Sequence, residues 1–500
     1  MDNTLEKKSG ILYLKSKFFL YRIVIYFSFL LIPVYVQKSL ELKPIYLFIS
    51  MILYCSFIMS QWFFLGKEID HRLKIYFRVN SSIDRVVYRL FLGMFFFIII
   101  FNLLYLLPSK WVYNSFWIIW GSLGLFYSWP TRGKIIQESV TTNFSEFRYL
   151  DSFEKTLVFL ILSLILFSVP EMPALAQSDA LIFFLDPGHH INQLFWNFLT
   201  VTFYPFKSYP NLFKIGWVTY FYVVNISMYL LTFYALLRFF ISRRLSLLGV
   251  FALISSWSVS KIIGNNLGTT LVDTYSLVWI WGMLWVTKSS TYRTGLFIGL
   301  LGFFGTIINH SYALISMIQI VMLMYIYLKD KTIWFKKQTL KYASFGLVLA
   351  LVTFVVNFEF SKVYNPGGLI IFDNLIGLID RKAFYILSLF GVAILGARKL
   401  LPNVKSFQVL KFGAVKMEEL ILGLIVILAF GTFVNISAVS RFSLLWIVTL
   451  FSLIPLELIF LHISRLRSSR NMIYLIYILI CLLDSHFEGR VKIFLKLFDS

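Results

Sequence analysis

The stretch RLFLGMFFFIIIFNLLYLL, residues 89–107, carries a single charge, Arg89 at its first position. A helix rises 1.5 Å per residue, so a run of this length matches the roughly 30 Å hydrocarbon core of a bilayer. Comparable apolar runs recur from one end of the chain to the other. Hydrophobic residues make up 59% of the 500 positions and charged residues 14%, with a mean hydropathy of +0.79. A water-soluble chain of this size has no use for so much apolar surface. The alternation of about ten residues that a transmembrane barrel needs is missing. The expected fold class is therefore all-α: a polytopic membrane helical bundle with about 14–15 transmembrane helices.

The formal net charge is +22, from 46 Lys and Arg against 24 Asp and Glu. In a membrane chain such an excess first marks cytoplasmic loops. Spans are read near 19–37, 44–65, 89–107, 111–129, 156–170, 214–237, 245–262, 271–287, 294–309, 311–328, 342–357, 383–397, 419–435, 442–461 and 471–484. With the lysine-rich N-terminus inside, most Lys and Arg then fall on one side, in RLKIYFRVNSSIDRVVYR, KDKTIWFKKQTLK, ARKLLPNVKSFQVLKFGAVK and SRLRSSR. That bias assigns the positive charge to topology, and no nucleic acid partner is expected. Segments 171–213, 263–270, 358–382 and 436–441 fall on the extracytoplasmic side. Segments 171–213 and 358–382 are long enough to hold short helices lying on the membrane. The first span lacks a small-residue cleavage site and is read as a retained anchor. Cys55 and Cys481 sit in or beside apolar runs, which supports neither a disulfide framework nor a cysteine metal site.

A polar stretch, PTRGKIIQESVTTNFSEFRYLDSFEK, follows the fourth span and separates a four-span module, residues 1–150, from a second module, residues 151–500. In the first, GKEIDHRLK (66–74) ends the second span and YSWPTRGK (127–134) ends the fourth. These stretches resemble UbiA-type prenyltransferases, in which an Asn-x-x-x-Asp-x-x-x-Asp motif binds Mg²⁺-diphosphate and a Tyr-Ser-x-Pro stretch follows the fourth helix. Asp70 matches the last carboxylate of the motif, whereas Gly66 and Trp62 replace the other two ligands. A divalent ion on a diphosphate needs converging oxygen ligands, so the resemblance implies a degenerate module that docks a polyprenyl lipid rather than one that transfers it. The alternative makes Asp70 and Arg72 part of a solvated basic loop.

The sharpest chemistry lies in FFLDPGHHIN, residues 183–192, on the extracytoplasmic side. Proline presets φ and glycine accepts a positive φ, so Pro187-Gly188 forms a turn that lets backbone approach a ligand. Asp186 can serve as a general base, and His189 and His190 can donate to a phosphate. With Asp186 they form an alternative ligand set for a divalent metal, Mg²⁺ or Mn²⁺. Adjacent histidines point apart on a regular helix or strand, so hydrogen bonding is preferred and no metal ligand is assigned. Further cations for a lipid phosphate on this side are Lys207 (beside Tyr204), Lys261 and Arg381, together with Lys362, Lys382 and Arg441. Each also reads as a side chain snorkelling to headgroups. His310 lies at the outer end of a helical hairpin. Asp373 and Asp380 share a face if 371–381 is helical, and Glu457 falls inside a span.

The acid-bearing first outer loop, followed by the hairpin GLFIGLLGFFGTIINHSYAL (295–314), resembles the GT-C superfamily of polyprenyl-phosphate-sugar-dependent glycosyltransferases. The resemblance implies Asp186 as catalytic base and Asp273 as the second acid. It implies a polyprenyl-phosphate sugar as donor and a glycan, lipid or protein as extracytoplasmic acceptor. Bacterial inner membrane, with the site facing the periplasm, is the expected location. Two other classes compete: a transporter or flippase of polyprenyl-linked sugars, and a non-catalytic subunit of a glycan-assembly complex. Paired halves with broken helices at midplane would mark the transporter.

Overall fold

A computed structural model describes residues 20–36, 44–73, 82–128, 149–168, 193–255, 274–282, 292–308 and 469–483, with isolated positions elsewhere. Regular structure among them is helical, apart from one two-residue antiparallel pair, Lys411–Phe412 with Val415–Lys416. The helices are α1 (Leu20–Val36), α2 (Pro44–Leu73), α3 (Ser82–Tyr105), α4 (Ser109–Ser128), α5 (Ser152–Ser168), α6 (Gln193–Thr202) and α7 (Pro210–Thr219). They continue with α8 (Ile226–Leu237), α9 (Arg243–Ser255), α10 (274–282), α11 (Tyr292–Ile308) and α12 (Arg470–Leu483). Two of them contain stretches long and apolar enough to cross a membrane, Tyr46–Arg72 and Ile83–Tyr105.

Those two stretches, in α2 and α3, make the tightest contact. A Cβ on Gly66 would collide with the Arg89 carbonyl, and one on Gly93 with the Trp62 carbonyl. Only glycine lets the two backbones touch, as small residues do wherever membrane helices cross closely. Position 66 faces 89 and position 62 faces 93, so the helices run antiparallel. Asp70 lies one turn beyond Gly66 on the same face, where its Oδ2 accepts a 3.0 Å hydrogen bond from Arg89 Nε. The Asp70 side chain is 2% exposed and that of Arg89 13%. Asp70 is thus a buried ion-pair partner on a helix, and not a residue of a solvated loop.

Aromatic side chains fill the space around this pair. Trp120 of α4 stacks on Phe97 at 5.4 Å and leans on Phe57. Tyr26 of α1 meets Phe57 edge-on at 4.8 Å. Phe304 of α11 stacks on Phe95 at 3.8 Å. Outward faces are apolar as well: Val24 on α1, Ile118 on α4, Phe159 on α5 and Leu475 on α12 are each more than half exposed. Apolar residues both inside and on the surface suit a helix bundle with lipid as its solvent.

Segment 193–206 departs from expectation. It does not lie on a surface: Phe195, Phe198, Leu199, Val201, Phe203 and Phe206 are wholly buried. Its ten-residue helix, α6, is too short to span and is a core helix, crossing α2 and α3 near one end. Asn102 Nδ2 donates to the Leu194 carbonyl at 2.7 Å, and Tyr54 OH to the Thr202 carbonyl at 2.6 Å. Tyr54 and Asn102 stand level in the antiparallel register, so α6 is held at both its ends. A 3₁₀ turn, Tyr204–Phe206, and α7 follow, and a π-helical turn, Tyr220–Asn225, joins α7 to α8.

The α2–α3 crossing yields a stability prediction. Asp70→Ala leaves Arg89 charged and unpaired in the core and should cost about 3 kcal/mol, the lower end for breaking a buried pair. Gly66→Leu should prevent the crossing altogether. Thermal unfolding of the detergent-purified protein should show a lower midpoint for the first and loss of monodisperse material for the second.

Candidate functional site

The polar groups of the described residues gather in three places along the bundle. At one end of α3, Asp84 Oδ1 accepts a 2.8 Å hydrogen bond from the buried Trp281 indole, which fastens α10. At the other end, Asn102 holds α6 and accepts from Asn197 Nδ2 at 3.1 Å. Eighteen residues separate these ends, about 27 Å along a helix axis. Between them, Thr274 donates to Asn225 Oδ1 at 2.7 Å at the end of the π-helical turn. Tyr275 donates to the Leu301 carbonyl and packs edge-on against Tyr312, whose hydroxyl lies 2.6 Å from Ser276 Oγ. Asn225 is 2% exposed, and its Nδ2 has no hydrogen-bond partner among the described residues. An acceptor sequence Asn225-Ile-Ser at that depth is unreachable for glycosylation.

The arginine-rich cluster lies beyond the Asp84 end. Leu231 of α8 packs against Phe63, Val86 and Leu90 near that end of α3. Arg238 lies seven residues farther along, about 10 Å beyond. There α5 begins with a capping box. Asp151 Oδ1 accepts from the Glu154 amide at 2.8 Å, and Glu154 Oε2 accepts from the Asp151 amide at 3.0 Å. Glu154 also receives a two-pronged bond from Arg243, Nε to Oε1 at 2.8 Å and Nη2 to Oε2 at 2.7 Å. This fork geometry is the strong form of the arginine–carboxylate pair, and it ties α5 to α9. Arg244 pairs with Asp151. Burial pushes the Asp151 carboxyl upward, but the Glu154 amide, Arg244 and Arg243 outweigh it and hold its pKa below the usual aspartate value.

Glu154, Arg238, Ser242, Arg243, Arg244 and Arg470 line an open cleft of about 520 Å³. The first turns of α5, α9 and α12 converge on it, because Ser152, Arg243 and Arg470 begin those helices. Arg238 Nη1 donates to the Ile241 carbonyl at 3.3 Å. The Nε of Arg470 is buried and has no hydrogen-bond partner among the described residues. Four guanidiniums face two carboxylates here, counting Asp151 beside Glu154.

Of the expected site residues, Asp186, His189, His190, Asp273, Lys261, His310 and Arg381 lie outside the described residues, as do Lys362, Lys382, Arg441, Asp373, Asp380 and Glu457. Lys207 is described. It is exposed, in the turn after Tyr204–Phe206, and its ammonium stands 5.2 Å from the centre of the Tyr204 ring. The chain neighbours of two others do come together: Thr274 follows Asp273, Tyr312 lies two residues after His310, and both belong to the buried polar group at the π-helical turn. Asp70 of the UbiA-like stretch is occupied by Arg89, and Gly66 is required by the helix crossing. That stretch therefore has a structural account of its own. No group of three or more His, Cys, Asp or Glu that could hold a metal gathers among the described residues.

The capping box and Arg470 were not singled out in the sequence. Asp-x-x-Glu ahead of an apolar run signals a helix start. Nothing local marks Arg470, whose neighbours in the cleft come from segments more than 200 residues away. Comparison with protein-family models, with curated proteins and with solved structures finds no match.

The depressed pKa of Asp151 sets a pH dependence. A lowered folded-state pKa contributes stability that is complete above the unfolded value, near 3.9, and is lost as pH falls through the folded value. The unfolding midpoint of wild type should exceed that of Asp151→Asn at neutral pH. The two curves should converge as the pH is brought below about 4.

Proposed function

We propose that the chain is an integral-membrane glycosyltransferase of the GT-C type, a polytopic helical bundle of about 14–15 spans in a bacterial inner membrane. It transfers a sugar from a polyprenyl-phosphate donor to a glycan, lipid or protein acceptor on the periplasmic side. The observation that carries this reading concerns sidedness. Residues 238–244 (RFFISRR), the start of α5 and the start of α12 fall on the cytoplasmic side when the spans read from the sequence alternate from an inside N-terminus. Their residues meet in one cleft, at the same end of the bundle as Asp70, Asp84 and Arg89. The agreement supports the orientation that puts the DPGHH loop on the opposite, outer side.

In the proposed reaction an acceptor O–H or N–H attacks the anomeric carbon, and Asp186 takes the proton. The bond from that carbon to the phosphate oxygen breaks, and the polyprenyl phosphate leaves with the electron pair. His189, His190 and Lys207 meet its negative charge. Lys207 supports this role by being exposed, with its charge held over the Tyr204 ring. A Mg²⁺ or Mn²⁺ ion held by Asp186 and the histidines would neutralise the leaving phosphate in their place. The degenerate first module is read as a docking surface for the polyprenyl tail.

A second reading, transport of a polyprenyl-linked sugar, is favoured by one feature: the buried Asn225–Thr274 pair beside a π-helical turn, since such turns and midplane polar groups recur at transport sites. Glycosyl transfer by the purified protein decides between them. Transfer from polyprenyl-phosphate sugars should be measurable for wild type and fall about 100-fold or more in Asp186→Asn, as expected for loss of a general base. Movement of donor across vesicles without any transfer would establish the transporter. Cysteine labelling of residue 186 from the cytoplasmic side would overturn the proposed site.

A further inference from the structure

The arginine cleft at the convergence of α5, α9 and α12 takes no part in chemistry at the outer face, yet its construction suits an anion. We infer that it binds the phosphate of an anionic phospholipid headgroup from the cytoplasmic leaflet, an inference that rests on the membrane orientation given above.

Three features of the cleft point to an anion. Four guanidiniums line it, and Glu154 and Asp151 offset two of them. Those two acids also hold the guanidiniums in place: the fork from Arg243 to Glu154 and the Arg244–Asp151 pair fix both arginines on the wall. Three helices begin at the cleft, so their positive dipole ends add to the potential. Arg470 Nε is buried without a hydrogen-bond partner, and a donor of that kind needs an acceptor that the described residues do not supply. A phosphate oxygen meets that need.

The surroundings select a lipid over free phosphate. From the cleft, α12 runs away with Met472, Leu475, Ile476, Leu479 and Ile480 exposed, and α5 with Phe159 and Leu162 exposed. Phe153 and Tyr474, ring centres 5.5 Å apart, close the seam between the two helices just beside the cleft. A headgroup seated on the arginines would leave its acyl chains along these apolar faces. A basic pocket between membrane helices on the cytoplasmic side is the usual form of such a site.

The test uses the full-length protein in a neutral detergent, with lipid titrated in and binding read by native mass spectrometry. Phosphatidylglycerol should bind at least about tenfold more tightly than phosphatidylcholine, and the preference should shrink as salt is raised. Arg470→Gln should weaken phosphatidylglycerol binding about fivefold, and Arg238→Gln with Arg470→Gln about twenty-five-fold, at roughly fivefold per charge removed near a membrane surface. Lys110→Gln, on an exposed residue outside the cleft, should leave binding unchanged. Equal affinity for the two lipids, or unchanged binding in an Arg470→Gln protein with a wild-type unfolding midpoint, would overturn the inference. Displacement of the lipid by millimolar inorganic phosphate would overturn the lipid assignment and make this a phosphate site. The salt dependence and lipid preference of wild type decide the matter if the variants fail to fold. None of these readouts involves glycosyl transfer, so failure here and failure of the proposed activity are distinguishable.

Discussion

The antiparallel crossing of α2 and α3 at Gly66 and Gly93, closed by the buried Asp70–Arg89 pair, is the contact against which α4, α6, α7, α8, α10 and α11 are placed. Two glycines bring the backbones together. That approach delivers the Arg89 guanidinium to Asp70, one turn from Gly66, and the charge is neutralised where water is excluded. Those helices then find their places against this pair, and α5, α9 and α12 pack on one another beyond it. α6 crosses one end, α10 is fastened to the other through Trp281, and α4 and α11 stack aromatic rings along the middle. Without the crossing, Asn102 and Tyr54 would not stand level, and α6 would have nothing to bridge.

Polar side chains do much of the joining. In lipid, apolar side chains gain little by leaving the solvent for one another, so close packing and interhelical hydrogen bonds must hold a bundle together. Asn102, Tyr54 and Thr274 each sit in a largely apolar run, Asp84 at the start of α3, and each bonds to a group on a different helix. Their bonds fall near the two ends and the middle of α3, which fixes the helices at several depths. The Arg243–Glu154 fork and the Arg244–Asp151 pair beyond the Asp84 end join α5 to α9, and there they also shape a cleft with more positive than negative charge.

Much of the architecture was legible in composition and charge. The helical character and the apolar lengths of the α2 and α3 regions follow from single-residue properties. Segment 193–206 was not legible. Its aromatic-rich amphipathic sequence suits a helix on the membrane as well as one inside the protein, and only the groove across α2 and α3 distinguishes them. Asp70 was misleading for a related reason: a carboxylate amid basic residues looks solvated until its partner, nineteen residues away, is brought beside it by the glycine crossing. The DPGHH loop was readable as chemistry, from residue types alone, whereas the arginine cleft was not readable as a site, because its walls come from three distant segments.

By itself the sequence determined that the protein is helical and apolar, which loops carry positive charge, and which residue types stand ready for acid–base or phosphate chemistry. These depend on side-chain hydrophobicity and charge, which each residue carries wherever the chain goes. Tertiary structure decided which helix lies against which, that Gly66 is a contact point, that 193–206 is core, and that four arginines share one cleft. Those outcomes depend on distances between residues far apart in the chain. Backbone approach at a pair of glycines sets such distances, and no local pattern encodes them.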